Sequence, residues 1–386
     1  MAQKYSFIFS TDSYDEHSIK AQERARRGSG EKLLIDGPAT NIPKEFKIFL
    51  SNDENKVQLC NMLKKVWGST KASSHITKCS NAILIVEGKA YEFKCTTGDI
   101  LVNEIFSLFS NQEESDTRFI LYVNYAKTLG FKDVVIRSPD TDVFFILLYH
   151  ACAIDIGIFL DTGSGKKRML IDVGAKAKEF GTEWCKVLLA MYVFTGEDCM
   201  SAFKGKGKVT PLKKLMKYPK FHKAFAALGE EWSIPDDVMQ SLEEFVCVMY
   251  GFVRERSVNT VRFKMLNKMV GEDQTLTAKS KVDLGRLPPS YDSLITHTQR
   301  VNHRLACCKR AATPIFERPN PSEEGQGWKM SDEGYLEPVW SKGSPFPTSL
   351  VDIMDATPKD ESDYSEYQEE IEEMDVDYVE PSDDED

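Results

Sequence analysis

Ten residues decide how this chain is read: Asp133-Val134-Val135-Ile136-Arg137-Ser138-Pro139-Asp140-Thr141-Asp142. Residues 133–136 read as an apolar strand, and residues 138–142 as the loop at its C-terminal end. Residues 143–153 follow as a buried helix. Upstream, residues 114–129 place Phe119, Ile120, Val123 and Ala126 on one helical face, closed by Gly130. Downstream, residues 156–160 and 168–172 form a hairpin through Gly163-Ser164-Gly165. This strand–helix alternation predicts an α/β fold with a mostly parallel sheet and helices on both faces.

Working outward, residues 5–9 read as a short strand running into the turn Thr11-Asp12-Ser13-Tyr14. A basic helix over residues 18–27 ends at Gly28-Ser29-Gly30. Residues 43–67 read as amphipathic helix, and 82–86 and 91–93 as a strand pair turned at Gly88. Helices are expected over 183–194, 211–217, 221–228 and 235–250, with a weakly patterned one over 281–308. The implied divisions are a core over residues 1–180, a helical region over 181–312, an irregular extension over 313–351 and a tail over 352–386.

Composition bounds the function. The 386 residues carry a net charge of −11, and 41% are apolar, enough for a sizeable core. The average hides a split. Residues 352–386 hold 17 acids and one base, Lys359, a net of −16. The other 351 residues hold 48 bases and 43 acids, a net of +5. The tail is read as disordered, because it has too little apolar surface to offset ordering entropy. It serves either to solubilise the chain or to cover its basic surface as a nucleic-acid mimic. No run of 18 apolar residues exists, so no membrane helix is expected. The nine cysteines form no CxxC pair, which points to reduced intracellular thiols.

Acids fall where such a fold puts chemistry. Asp140 and Asp142 follow a strand end, the edge at which open α/β sheets bind ligands. Glu113, Glu114 and Asp116 open the preceding helix, whose N-terminus lies at that same edge. Asp12 follows another strand end, and Asp198 begins a turn after an apolar helix. Clustered carboxylates without His or Cys suit Mg²⁺ or Mn²⁺, and two such ions suit phosphodiester cleavage. Taken singly, Asp140 is an ordinary helix cap, and Glu113, Glu114 and Asp116 are ordinary dipole-favoured acids.

A basic element follows. Between Asp198 and Glu230 there is no acid and there are eight lysines: Lys204, Lys206, Lys208, Lys213, Lys214, Lys217, Lys220 and Lys223. The turn Gly205-Lys206-Gly207 opens its backbone to phosphate, and the helix behind it adds a positive dipole. Together these predict a nucleic-acid backbone grip.

In this order the motifs resemble those of the flap-endonuclease family of 5′-nucleases, over about residues 5–251. Phe7-Ile8-Phe9-Ser10-Thr11-Asp12 looks like that family's strand ending in a metal-binding Asp. Lys20 and Arg27 have the spacing of its Lys and Arg that contact the scissile phosphate. Gln112-Glu113-Glu114-Ser115-Asp116 resembles its Glu-x-Glu motif, Ser138-Pro139-Asp140-Thr141-Asp142 its Asp-x-Asp motif, and Thr195-Gly196-Glu197-Asp198 its Gly-x-Asp segment. Gly205-Lys206-Gly207 resembles the turn of its helix–two-turn–helix element. The same Glu-Glu-x-Asp-Thr and Ser-Pro-Asp-Thr-Asp motifs also look similar to those of uncharacterised multicopy animal proteins.

The resemblance implies a PIN-like core, with residues 29–110 in the place of the family's arch. It implies two Mg²⁺ or Mn²⁺ ions held by Asp12, Glu114, Asp116, Asp140, Asp142 and Asp198, with Lys20 and Arg27 as catalytic residues. It also implies nucleic acid, DNA above all, held by Lys204, Gly205, Lys206, Gly207, Lys208, Lys213 and Lys214, K⁺ at the Gly205–Gly207 turn, and a nuclear location. The family core opens with a strand bearing a first metal-binding Asp, whereas this chain opens at the counterpart of the second. Two functions follow as expectations: a metal-dependent, structure-specific 5′-nuclease-like phosphodiesterase, inactive if that strand is lost, or a non-catalytic nucleic-acid-binding or protein-interaction module on the same fold.

Overall fold

The computed structural model describes residues 5–14, 18–26, 30–37, 39–41, 43–198, 200–270 and 283–342. Arg27 and the acidic tail, residues 352–386, lie outside the described residues. The fold is α/β. The first sheet is formed by β1 (Tyr5–Ser10), β2 (Cys79–Val86), β3 (Lys89–Thr96) and β4 (Asp99–Glu104), in that order. β1 and β2 pair parallel, from Ser6 with Asn81 to Ser10 with Ile85, and the other pairs are antiparallel. Two-residue turns make the hairpins. Glu87 and Gly88 have φ of 50° and 74°, and Thr97 and Gly98 of 52° and 97°. Positive φ at both central residues matches the strand twist. At Gly88 a Cβ would sit 2.5 Å from the Ser110 carbonyl oxygen, so both conformation and space require glycine.

The second sheet is β5 (Asp133–Arg137), β6 (Gly157–Thr162) and β7 (Met169–Asp172). β5 pairs parallel with β6, and β6 antiparallel with β7. The expected single, mostly parallel sheet is therefore corrected. Each parallel pair belongs to its own sheet, and β1 and β5 are both end strands. Helices cover both faces of the first sheet, where Leu84 and Val86 pack with Cys60 and Ile76, and Ile83 and Ile85 with Leu121 and Tyr122, but only one face of the second. Ile136, Ile158 and Leu160 are buried, whereas Val135 on β5 and Leu170 on β7 are 60% and 61% exposed on the other side.

The helices are α1 (Ile19–Arg26), α2 (Phe46–Phe49), α3 (Asp53–Trp67), α4 (Ser73–Ile76), α5 (Ser115–Thr128), α6 (Thr141–Ala151), α7 (Val173–Phe180), α8 (Thr182–Phe194), α9 (Val209–Lys217), α10 (His222–Ala227), α11 (Asp236–Met249), α12 (Val258–Val270) and α13 (Tyr291–Lys309). α5 joins the two sheets. Leu121 and Tyr122 pack with Ile83 and Ile85, while Ile120 and Val123 pack with Ile136. The 29–110 stretch is more than an inserted arch, because it supplies β2, β3 and β4. No break in the core marks residue 180: one apolar cluster runs from Ile120 through Leu189, Phe245 and Val301 to Leu336. Residues 313–342 are not merely irregular. They form the hairpin β8 (Trp328–Met330) and β9 (Leu336–Pro338), with Trp328 and Leu336 in that same core.

Candidate functional site

Local hydrogen bonds place the acids. β1 runs into a loop stitched to the start of α5. Asp12 Oδ1 accepts from both the backbone N–H and the hydroxyl of Ser115, each at 2.8 Å. The buried Arg118 donates to the carbonyls of Thr11 at 2.5 Å and Glu113 at 3.1 Å. Asp140 caps α6 by accepting from the N–H of Asp142 at 3.2 Å. Asp142 in turn accepts from the Tyr192 hydroxyl on α8. α8 then ends in the turn that carries Glu197 and Asp198.

Two acidic groups result, and two cations join them. Lys20 on α1 places Nζ 3.2 Å from Glu114 Oε1 and 3.7 Å from Asp198 Oδ2. Arg304 on α13 lies 2.8 Å from Glu114 Oε2 and donates through Nε to Glu197 Oε1 at 2.5 Å. Glu114 thus has a cation beside each oxygen, although Oε2 and the Arg304 nitrogen facing it make no hydrogen bond. Burial pushes its pKa up, but Arg304 and then Lys20 outweigh that and hold it below the usual range. Asp116 moves the other way, to about 7, because burial and then the Glu114 charge favour its neutral form. Burial raises Asp142 as well, the Tyr192 hydrogen bond opposes this, and the charges of Asp140 and Asp198 add to it. Glu197 is raised by burial, against the pull of Arg304.

The six acids singled out in the sequence therefore share one neighbourhood, where Asp12 and Glu114 act on Asp116, and Asp140 and Asp198 on Asp142. Their oxygens suit a hard cation, but their spacing does not. Among the described residues no three His, Cys, Asp or Glu side chains gather closely enough to hold a metal ion. Lys20 is an ion-pair partner within the acids, and its companion Arg27 falls outside the described residues.

Arg304 and Glu197 escaped the sequence reading. Glu197 stood inside a quoted motif, but as its unassigned middle residue. Arg304 lies beyond the span of the resemblance, in a helix whose polar residues obscure its apolar period. Arg24, read only as one of the bases of the helix over residues 18–27, pairs with Asp53 at 2.7 Å and with Glu113 at 3.2 Å.

The lysine run divides in the structure. Lys208 points inward, donates to the carbonyls of Tyr192 and Gly196, and is held down to about 8 by burial. It is not a surface contact, and its own ammonium serves these carbonyls beside the Gly205–Gly207 turn expected to hold K⁺. Lys204 pairs with Asp283 at 2.7 Å. Gly205 (φ 73°) and Gly207 have open space where a Cβ would point. Lys213 and Lys217 are exposed on α9, and Lys206 and Lys214 half-buried beside them.

Among the described residues no helix is long and apolar enough to cross a membrane. Comparison with models of known protein families, with curated proteins and with solved structures found no match.

Proposed function

We propose that this chain is a nucleic-acid-binding module on a PIN-like, 5′-nuclease-type fold, with α9 and its preceding turn as the grip on a duplex strand. The carboxylate crevice is a structural cluster neutralised by its own cations. The placement of Lys20 and Arg304 beside Glu114 carries this reading, because an acid whose charge is already offset by two protein cations is a poor ligand for a catalytic ion. The open Gly205–Gly207 turn and the outward lysines of α9 support backbone binding, which needs positive charge and accessible N–H groups.

A second reading, the metal-dependent phosphodiesterase, is favoured by the meeting of acids from four segments and by the raised Asp116. One assay separates the two. Labelled flap, nicked and single-stranded DNA and RNA are incubated with the full chain in Mg²⁺ or Mn²⁺, beside the D140N chain. Binding without cleavage is the expected result. Cleavage that D140N abolishes would establish the second reading instead.

A further inference from the structure

The outward face of α9 combines charge with apolar surface. Val209, Lys213, Met216 and Lys217 follow one another at helical spacing, opposite the buried Pro211 and Leu215. Val209 and Met216 are 63% and 65% exposed. Nucleic-acid backbone contacts use the lysines but have little use for a bare Val and Met. An acidic peptide with apolar side chains uses both. Lys206 and Lys214 are close enough that the charge of Lys214 adds to burial in lowering Lys206, so the face favours an anionic partner. Glu244 and Asp283, on neighbouring elements, are engaged by Lys220 and Lys204.

This chain carries such a peptide. Residues 352–386 hold 17 acids and one base, with Ile371, Met374, Val376, Tyr378 and Val379 spaced among them. The 44 residues after Lys342 can reach across the whole molecule, at about 3.3–3.6 Å per extended residue. We propose that residues 352–386 dock on the α9 face, acids on Lys206, Lys213 and Lys217 and apolar side chains on Val209 and Met216, and so compete with nucleic acid. The competition rests on the binding function proposed above; the docking itself does not.

Zero-length carbodiimide cross-linking of the full chain, which joins carboxylates to amines in contact, tests the docking without nucleic acid. Links from the tail should concentrate on the lysines of residues 206–217 in dilute salt. They should fade near 1 M, where the screening length is about 3 Å. In K213Q/K217Q the remaining links to Lys206 and Lys214 should fall too. Links spread evenly over exposed lysines such as Lys132 and Lys178, or indifferent to salt, would overturn the docking. Neutralising the tail at Glu369, Glu370, Glu372 and Glu373 by Gln then tests the competition. With an effective concentration on the order of 1 mM and a weak electrostatic affinity on the order of 100 μM, relief of the competition raises DNA affinity about tenfold in dilute salt. An unchanged affinity there, with the chain still binding DNA, would refute the competition alone.

Discussion

Replacing Arg304 with Met removes the charge that joins Glu114 to Glu197 and keeps most of the side-chain volume. Arg304, itself buried, lies 2.8 Å from Glu114 and is bonded to Glu197, and both glutamate side chains are largely shielded from solvent. Removing one partner of a buried pair costs about 3–5 kcal/mol, because the other charge is left uncompensated. Here two carboxylates lose that partner, so about 4 kcal/mol is a fair expectation at neutral pH. With a urea slope of about 3 kcal/mol per molar, the midpoint falls by roughly 1.3 M. The pH dependence has a definite sign. In the native chain Glu114 is depressed, so its contribution is present above the unfolded value of about 4.3 and is lost as acid titrates the folded group. In R304M both glutamates can escape the buried charge by taking a proton, so the difference from the native chain should shrink between pH 7.5 and pH 5. Urea unfolding at both pH values measures this. A loss below about 1 kcal/mol at pH 7.5, or an equal loss at both, would refute the buried ion pairs.

Three further perturbations have definite outcomes. Asp116→Asn should stabilise the fold more at pH 8 than at pH 4, by up to about 4 kcal/mol, since the folded group titrates near 7 and ionising it costs stability as pH rises; chemical denaturation at the two pH values would show a flat difference if Asp116 is solvated. Tyr192→Phe leaves Asp142 without its hydroxyl donor and should cost about 1–3 kcal/mol, read as a lower urea midpoint. Gly229→Ala forces a Cβ to within 2.6 Å of the Leu305 carbonyl carbon at a φ of 78°, and thermal unfolding should show one of the largest losses of any Gly→Ala change.

Much of the frame was legible because periodicity and punctuation agreed. β1, α5, β5, α6 and the β6–β7 hairpin lie where their apolar runs and glycines put them. Other features were not. The division into two sheets depends on which strands meet, and strand length and polarity do not encode this. β4 alternates too little to stand out: Leu101 and Val102 are 54% and 40% exposed. α13 hides its period because Thr296, His297, Arg300, Asn302, His303 and Arg304 are buried by pairing rather than by hydrophobicity. At the site, the acids could be gathered from strand-end logic, but not the cations among them, since a buried Arg and a surface Arg read alike in sequence. The lysine run shows the same limit. Lys208 and Lys213 differ only in the direction they face, which the turn before α9 sets.

The salt dependence of duplex binding, measured on the chain with Glu369, Glu370, Glu372 and Glu373 replaced by Gln so that the tail does not compete, tests the proposed function most directly. Four phosphate contacts, from Lys206, Lys213, Lys214 and Lys217, imply a log–log slope of roughly −3.6, at about −0.9 per contact. Replacing these four by Ala should flatten the slope toward zero, whereas replacing the inward Lys208 should leave it unchanged. A slope that survives the fourfold change, or an affinity that never depended on salt, would contradict the α9 grip.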